Sequence, residues 1–444
     1  MKRRIIWAWC MYDWANSAYP LVISTALFPV YFGIIARTSN GSNTVELAGT
    51  IWHTASLYSL AIAISYAINA ALLPVLSGIA DWSGRKKQFM SAFCTLGAVG
   101  CVGLALMERQ TIWIGIVSAI IANVGFNGSL VFYNAFLPEI APPRLHDRIS
   151  AMGYIFGYIG SSLLLIAIVV VLLLVTTFGI EKNSQEAFLR VAPWAFIAVA
   201  VWWRGFAVVT LRLVPERNAT DHQRINESIV NGWRALSQAL VHVTRNPVLL
   251  CFLGAYLAAS MGVQSVILLA SVFGEQELHM DTSLLVAIVL LVQFVAALGS
   301  WLCAKLTERW GNTRTLVMIA AVWGLVCIAA YAIVSAIHFA LLSAAVGLVL
   351  GGMQSQMRST FSKLITSEPV HASLFSLYDI AEKIGTTAGM GTFSIVVSVT
   401  GSLRSGALAL SGGFAITIIL LLLVHHSARH HAVYRRITQP QHAR

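Results

Sequence analysis

Twelve apolar runs, each about as long as a helix that crosses a bilayer, constrain the fold of this chain more than any other feature. About 20 helical residues span the hydrocarbon core of a membrane. The chain is 57% hydrophobic and 11% charged, whereas soluble domains carry about 25% charged residues. So apolar a chain cannot cover itself with polar surface, which predicts an all-α integral membrane fold. The predicted spans are 14–36, 55–79, 89–107, 111–136, 149–176, 190–213, 247–273, 283–304, 314–335, 338–361, 373–399 and 403–425.

A short basic loop separates the second and third spans. It reads GIADWSGRKK from Gly78 to Lys87. Gly78 lets another helix approach closely, and Gly84 lets the chain turn. We expect Asp81 to cap the start of the third span or to pair with Arg85. The loop is interpreted as a conformational latch that breaks and reforms between two states. The simpler alternative is a loop with ordinary positive charge at the membrane surface.

The distribution of Lys and Arg predicts the orientation of the chain. With an even number of spans, both termini lie on the same side. Of the 29 Lys and Arg residues, 22 lie on the side of the termini and 5 on the other, with Arg204 and Lys383 inside spans. The positive-inside rule then places both termini in the cytoplasm, at an inner membrane. The charge of +11 does not indicate a nucleic-acid partner, because no continuous basic stripe is visible.

The longest interruption divides the chain into two sets of six spans. The predicted domains are an N-terminal bundle at 1–213, a cytoplasmic linker at 214–246, a C-terminal bundle at 247–427 and a cytoplasmic tail at 428–444. Apolar residues in the linker recur at helical spacing, which indicates an amphipathic helix on the membrane surface. A connector between the halves is the simpler interpretation, and a partner-binding helix is the alternative.

The two halves share local patterns. The latch spacing, an acidic residue three positions before a glycine, recurs at Glu308 and Gly311 after the eighth span. Closely spaced glycines, which allow helices to pack tightly, recur in the fifth and eleventh spans. They are Gly153, Gly157, Gly160, Gly385 and Gly389. Such repeats predict two pseudo-symmetric six-helix bundles of the kind that forms transporters.

The eleventh span carries the densest group of charges. Asp379, Glu382 and Lys383 are spaced i, i+3 and i+4, so they share one face of a helix. Charges inside the hydrocarbon are costly unless they are paired or hydrated. Two acids and one cation predict an ion pair plus one acid that is free to carry a proton or to bind an ammonium group. The alternative is a static ion pair that faces a vestibule.

The latch loop resembles the signature loop of the major facilitator superfamily. The first span reads YDWANSAY from Tyr12 to Tyr19 and continues to FPVYF, which closely resembles the signature of the vacuole-effluxer-like branch of that superfamily. Further matches in the fourth, fifth, tenth and eleventh spans extend the resemblance over nearly the whole chain. Thr366 and Met390 depart from the family, in which proline is more common. The resemblance implies the major facilitator fold with alternating-access transport.

The resemblance also implies a central cavity lined by spans one, four, seven and ten. The candidate solute ligands in those spans are Asn16, Tyr19, Asn127, Asn134, Gln264, Gln354 and Arg358. Arg358 is suited to hold a solute carboxylate. Asp13 joins the acids of span eleven as a candidate for proton coupling. The alternatives are that these groups make only interhelical hydrogen bonds, and that Arg358 reaches for the membrane interface.

The leading hypothesis is a secondary active transporter in which two bundles expose a central site to each side in turn. Resemblance to vacuolar amino-acid effluxers suggests a neutral amino acid as the solute, with protons as the candidate coupling ion. The alternatives are an exporter of an amphipathic drug, siderophore or lipid-like solute, and a membrane sensor that does not transport. No nucleotide-binding or catalytic motif is found. An enzyme is therefore not predicted.

No cofactor and no resident metal are predicted. His426 and His430 have a spacing that suits a metal, but a basic end to the last span is the simpler interpretation. The expected partners are a small solute, the lipid bilayer and candidate coupling protons. The expected oligomeric state is a monomer.

Overall fold

The structure is a computed structural model of a helical chain. The predicted linker falls outside the described residues at 217–224, and the predicted tail does so after residue 430 except for residue 437. The described residues are 2–36, 44–47, 50–180, 183–216, 225–430 and 437.

The first half consists of six long helical units. Its first unit joins α1 and α2 through a π-helical segment, and a two-stranded antiparallel hairpin precedes the second unit. The elements are α1 (Lys2–Asn16), the π segment (Tyr19–Leu27), α2 (Phe28–Ile35), β1 (Thr44–Leu47), β2 (Thr50–His53), α3 (Thr54–Ser83), α4 (Lys86–Leu104), α5 (Ile112–Ala135), α6 (Leu137–Ile140), a 3-10 turn (Pro143–Leu145), α7 (His146–Thr177) and α8 (Ser184–Leu213).

The second half follows after an intervening helix, α9. Asn246 caps the first helix of this half by accepting the backbone N–H groups of Val248 and Leu249, with Pro247 at the first helical position. The elements are α9 (Ile225–Arg245), α10 (Pro247–Leu278), α11 (Thr282–Trp310), α12 (Asn312–Tyr331), α13 (Ala336–Leu364), α14 (His371–Thr400), α15 (Leu403–Ala409) and α16 (Ser411–His430).

Eleven helical segments among the described residues are long and apolar enough to cross a membrane. The eleventh predicted span, α14, has 30 residues and is not among these eleven; it carries Asp379, Glu382 and Lys383. Large apolar side chains such as Leu341 and Val399 are 66% and 80% exposed on the outside of the bundle. That surface suits lipid, because a membrane solvates apolar groups. The prediction of an all-α membrane fold with twelve spans is confirmed.

The first span is not a regular α-helix. In its π segment, the backbone N–H of Phe28 donates to the carbonyl oxygen of Ile23, five residues earlier. The Thr25 hydroxyl likewise donates to the carbonyl of Pro20 at 2.9 Å. Pro20 has no N–H of its own, so the regular α-helical bonding pattern cannot continue through this point. Such π segments are rare and often occur at functional positions.

Glycines set equivalent helix contacts in the two halves. A side chain at Gly157 of α7 would collide with Ser17 beside α1, and one at Gly385 of α14 would collide with the backbone carbonyl of Leu257 of α10. In each half, the fifth span therefore packs tightly on the first. The close approach that the glycine pattern predicts is confirmed, because only a missing Cβ leaves room for it.

The two bundles meet through α3 against α14 and α7 against α11. Helix α9 packs across the end of α3, where a side chain at Gly78 would collide with the carbonyl oxygen of Gly232. The same end of the molecule holds the turns between α3 and α4 and between α11 and α12. We call this end the linker face, defined by residues 83–86, 225–245 and 308–312.

Candidate functional site

An arginine near the end of α13 joins the two bundles. Arg358 is 2% exposed, and both of its terminal nitrogens donate to Asp13 Oδ2 of α1 at 3.0 Å. The Tyr133 hydroxyl of α5 donates to the same oxygen at 2.8 Å. Removing one partner of a buried ion pair leaves an uncompensated charge, which is strongly destabilising. The three side chains therefore hold the bundles together in this conformation.

The other donors of Arg358 are also bound by protein groups. Its Nε donates to the Ser150 hydroxyl at 2.9 Å, and Nη2 donates to the Ser150 carbonyl at 2.8 Å. Nη1 lies 3.4 Å from Asn134 Oδ1, and the guanidinium lies 4.1 Å from the ring centre of Tyr154. We call this set the interbundle network. Its members are Arg358, Asp13, Tyr133, Ser150, Asn134 and Tyr154.

The network changes how Arg358 is interpreted. In this conformation Asp13 occupies the position that a solute carboxylate was predicted to take. A carboxylate of the solute can bind Arg358 only in a conformation in which Asp13 has moved away. Sequence placed both residues at the site, but it did not predict that they bind each other.

The latch loop reaches across the bundle boundary. Asp81 at the end of α3 accepts the backbone N–H groups of Ala372 and Ser373 at 3.0 and 2.7 Å, and the Ser373 hydroxyl at 2.9 Å. Its cation partner is Lys86, at 3.0 Å. The expectation that Asp81 caps the third span or pairs with Arg85 is therefore wrong. Asp81 instead caps α14 of the other bundle, where the carboxylate meets the unpaired N–H groups of a helix start.

A second acid extends this node. Glu139 of α6 forms an ion pair with Lys86, and its Oε1 lies 3.1 Å from Nδ1 of His371 at the start of α14. Glu139 and Lys86 belong to the first bundle, whereas His371 belongs to the second. The latch therefore contains two acids, a lysine and a histidine, which close one side of the linker face.

The second half contains an equivalent node with different residues. Asp147 at the start of α7 accepts the Asn312 side-chain amide at 2.7 Å and the Ser359 hydroxyl at 2.8 Å, and it pairs with Lys363. Glu308, the residue predicted for this role, is half-buried and makes none of these contacts. Asn312, four residues after Glu308, makes the contact in this node that crosses between the bundles. In both nodes, a residue at the turn between the second and third spans of one bundle contacts the start of the fifth span of the other bundle.

Both latch turns use a glycine in the left-handed region of the backbone. Gly84 has φ 70° and Gly311 has φ 84°. Residues with a Cβ are disfavoured there, so glycine lets each turn reverse the chain within one residue. Arg85 directly follows the first turn, as the residue before α4. The duplicated turns support the predicted relation between the halves.

The charges of α14 lie deeper than the network. Lys383 Nζ is 3.2 Å from Glu382 Oε1 and 3.7 Å from Asp379 Oδ1. Glu382 also accepts the Tyr256 hydroxyl at 2.5 Å and the Gln264 amide at 3.0 Å, both from α10. We call these five residues the central cluster. Lys383 contacts both acids. The cluster holds two carboxylates and one ammonium group, so its formal charge is one negative in excess.

Aromatic side chains from both bundles surround the central cluster. Lys383 Nζ lies 5.0 Å from the ring centre of Tyr66 on α3. The Tyr256 and Tyr378 rings stack with centres 3.7 Å apart. Tyr158 of α7 donates to Gln354 Oε1 of α13 at 2.6 Å. The arrangement offers an acid, a cation and tyrosine faces within one region, which is a suitable set for a zwitterion.

The helical rise places these groups in layers. Arg358 precedes the end of α13 by six residues, or about 9 Å, and Glu382 follows the start of α14 by eleven residues, or about 16 Å. The latch nodes lie at the helix ends. The order from the linker face inward is therefore latch nodes, interbundle network and central cluster.

Some predicted solute ligands lie inside the first bundle instead. Tyr19 is 3% exposed and packs against Phe126 and Trp203. Asn127 donates its amide to the Asn123 carbonyl at 2.9 Å on the same helix. Asn127 therefore follows the alternative of a hydrogen bond within the bundle. Tyr19 serves the aromatic core in this conformation.

Asn16 differs from Tyr19 and Asn127 because its buried side-chain amide lacks a hydrogen-bond acceptor in the described part of the chain. The residue is 1% exposed, and its Nδ2 has no hydrogen-bond partner among the described residues. Its Oδ1 lies 3.5 Å from the Ser17 hydroxyl. A buried amide without an acceptor is unfavourable, so Asn16 remains a candidate for a contact made in another conformation.

Sequence reasoning missed several site residues. They are Tyr66, Ser150, Tyr154, Tyr158, Tyr256, Asp147, Asn312 and His371. Their shared signal is a polar or tyrosine side chain within or at the end of an apolar span. Tyrosine is only weakly diagnostic, because it also packs in ordinary cores. Asp147 and His371 both lie within the first two residues of the fifth helix of their half. Aligning the two halves of the sequence would have shown this shared position.

Comparison with known proteins agrees with this architecture. The model of the family described as "Vacuole effluxer Atg22 like" matches residues 1–432. The chain is 30% identical over 418 residues to the uncharacterized MFS-type transporter YxiO of Bacillus subtilis (strain 168), and the aligned region covers 94% of each chain. It is 25% identical to Autophagy-related protein 22 of Coccidioides immitis (strain RS), covering 85% of this chain and 72% of that protein.

Solved structures share the fold. The E. coli fucose:proton symporter FucP superposes with a TM-score of 0.64 at 15% identity, covering 95% of this chain and 98% of that one. The human organic anion transporter MFSD10 gives a TM-score of 0.63 at 13% identity, covering 95% and 99%. At identities this low, the similarity shows a shared fold and nothing about solute or coupling.

Proposed function

The chain belongs to the vacuole effluxer Atg22-like family of major facilitator transporters, and on that premise we propose that it moves a neutral amino acid across an inner membrane by alternating access. Multi-pass insertion and the transporter fold are established by the family and the apolar helices. The solute, the membrane and the coupling ion are the proposed parts.

The central cluster is the observation that carries the proposal. An amino acid presents one ammonium and one carboxylate group. Glu382 and Asp379 supply acceptors for the ammonium, and Lys383 supplies a cation for the carboxylate, with all three on one face of α14. Tyr256 and Gln264 from α10 orient Glu382. Ligand sites between the bundles of transporters commonly lie near the middle of the membrane.

The interbundle network and the two latch nodes supply the gate of this mechanism. This conformation is closed between the linker face and the central cluster, because Arg358, Asp81 and Asp147 each bind the opposite bundle. Opening the linker face requires these contacts to separate, after which Arg358 becomes available to a solute carboxylate. During alternating access, these three side chains then exchange their protein partners for solute and water.

Protonation offers a way to couple this exchange to a gradient. A proton on Asp13 would remove the charge that holds Arg358, and a proton on Asp379 or Glu382 would change the partners of Lys383. The positive-inside rule assigns the linker face to the cytoplasm. In that orientation, the conformation is closed to the cytoplasm.

Transport by the purified protein tests the proposal. Proteoliposomes containing the full chain are offered radiolabelled neutral amino acids with and without an imposed pH gradient. We expect saturable, gradient-dependent uptake that the Asp379→Asn and Glu382→Gln variants lose. Glu308→Gln is the matched control, because Glu308 is an acid at the linker face outside the network and the cluster.

Two results contradict the proposal in different ways. Uptake that is independent of the pH gradient contradicts proton coupling but agrees with amino-acid transport. Absence of uptake for every neutral amino acid, together with stabilisation of the protein by amphipathic drugs, favours the alternative of an exporter of such solutes. Stabilisation by no solute at all favours a non-transporting sensor.

A further inference from the structure

A groove on the flank of the first bundle lies outside the transport machinery. It has a volume of about 860 Å³ between α4 and the end of α8. Lys87, Ser91 and Thr95 form its polar wall at i, i+4 and i+8, so they follow one face of α4. Val99, 59% exposed, continues the wall toward the membrane interior.

The arginine within span six stands beside this groove. Arg204 donates its Nε to the Thr95 hydroxyl at 3.2 Å. It makes no other hydrogen bond or ion pair with a residue in the described part of the chain. Arg204 lies nine residues before the end of α8, or about 14 Å from that end. Its two terminal nitrogens therefore need a partner that the described residues do not supply.

The environment restricts what that partner is. A guanidinium at hydrocarbon depth is costly unless it is paired, and a long side chain extends toward the interface to reduce that cost. Lys87 lies at the other end of the same polar wall, eight residues or about 12 Å nearer the linker face than Thr95. A phosphate on Arg204 satisfies its two terminal nitrogens, because phosphate accepts two parallel guanidinium bonds.

The charge balance of the groove favours an anion. Among the lining residues Lys87 is the cation and Glu216 is the acid, and Arg204, bound to the lining residue Thr95, adds a second cation. Glu216 Oε1 already accepts the backbone N–H of Lys87 at 2.6 Å. Burial raises the pKa of Glu216, which weakens its hold on Lys87. The groove therefore retains an excess of positive charge.

We propose that the groove binds an anionic phospholipid of the leaflet at the linker face, with its phosphate on Arg204, its headgroup toward Lys87 and an acyl chain along Leu96 and Val99. The exposed apolar part of the groove fits the chain, and the polar wall fits the headgroup. Such a lipid bridges α4 and α8 within one bundle. It gives Arg204 a role that the transport mechanism does not use.

Native mass spectrometry of the delipidated full chain in detergent tests the site. The probe is palmitoyl-oleoyl phosphatidylglycerol. We expect one lipid to be retained by the wild type, and Arg204→Gln to weaken retention about tenfold, the equivalent of one lost charged contact. Arg309→Gln is the matched control, because Arg309 is an exposed arginine at the linker face on α11. Equal loss in both variants overturns the proposal, since it indicates general attraction to positive charge.

A second variant tests the shape of the groove without changing its charge. Val99→Trp fills the path of the acyl chain and is expected to reduce retention of the same lipid. Glycerophosphoglycerol, the headgroup without chains, is expected not to be retained by the wild type. Retention of that headgroup as tightly as of the lipid, or unchanged lipid binding by Val99→Trp, overturns the assignment to a phospholipid.

Discussion

Arg358 and Asp13 lie 3.0 Å apart across the boundary of the two bundles, although 345 residues separate them in the chain. The guanidinium also donates to Ser150 and Asn134 and lies 4.1 Å from the ring centre of Tyr154. The pair links the first span of one half to the fourth span of the other. It is therefore placed to report on the relative position of the bundles.

Breaking this pair has a predicted cost. Asp13→Asn leaves the buried Arg358 without its counter-charge and is expected to destabilise this conformation by about 3–5 kcal/mol. The measurement is thermal unfolding in detergent, together with labelling of a cysteine placed at the linker face. The Asp13→Asn/Arg358→Gln double variant should lose less than the sum of the two single variants. Additive losses would show that the two residues do not interact.

The capping contact of Asp81 is also measurable. Asp81→Ala removes the acceptor for the N–H groups of Ala372 and Ser373 and is expected to cost about 1–2 kcal/mol, as for other helix caps. Glu308→Ala, at the matching position of the second half, is expected to change stability by less than about 0.5 kcal/mol. Equal effects of the two substitutions would contradict the asymmetry of the latch nodes.

The contact between α3 and α9 depends on two glycines. A Cβ at Gly78 meets the backbone carbonyl of Gly232, which cannot rotate away. Gly78→Ala is therefore expected to destabilise by about 1–3 kcal/mol and to expose α9 to proteolysis. Gly205→Ala is the control, because Gly205 has no neighbouring atom within 4 Å of its added Cβ. That control should be neutral or stabilising, since alanine favours a helix.

Tyr256 orients the acid of the central cluster. Tyr256→Phe removes the hydroxyl that donates to Glu382 at 2.5 Å and is expected to lower solute affinity about tenfold, as for a hydrogen bond to a charged group. Binding is measured by solute-dependent thermal stabilisation. Tyr31→Phe removes a hydroxyl that donates to Met107 at 3.2 Å inside the first bundle, and should leave affinity unchanged. A loss in both variants would remove Tyr256 from the site.

Glu216 gives a prediction for pH. Burial raises its pKa above the ordinary value of 4.5, so the folded state holds this proton more tightly than the unfolded state does. Stability from this group is present below pH 4.5 and is lost as pH rises through the raised pKa. Glu216→Gln should therefore gain stability relative to the wild type as pH rises from 4 to 7 in thermal unfolding. A constant difference between the two proteins would contradict it.

The sequence by itself determined the membrane class, the twelve spans, the close helix contacts at Gly157 and Gly385, and the grouping of Asp379, Glu382 and Lys383 on one helix face. Hydropathy and helical spacing are local properties, so one chain contains the information for them. The tight turns at Gly84 and Gly311 are local in the same sense.

Only the tertiary structure decided which partners these residues have. Asp81 contacts α14 instead of Arg85, and Asn312 takes the role expected of Glu308. These contacts join segments that are distant in the chain, and their geometry depends on how two bundles pack against each other. A buried polar group must find whichever partner that packing brings near, and neither spacing nor composition specifies that choice.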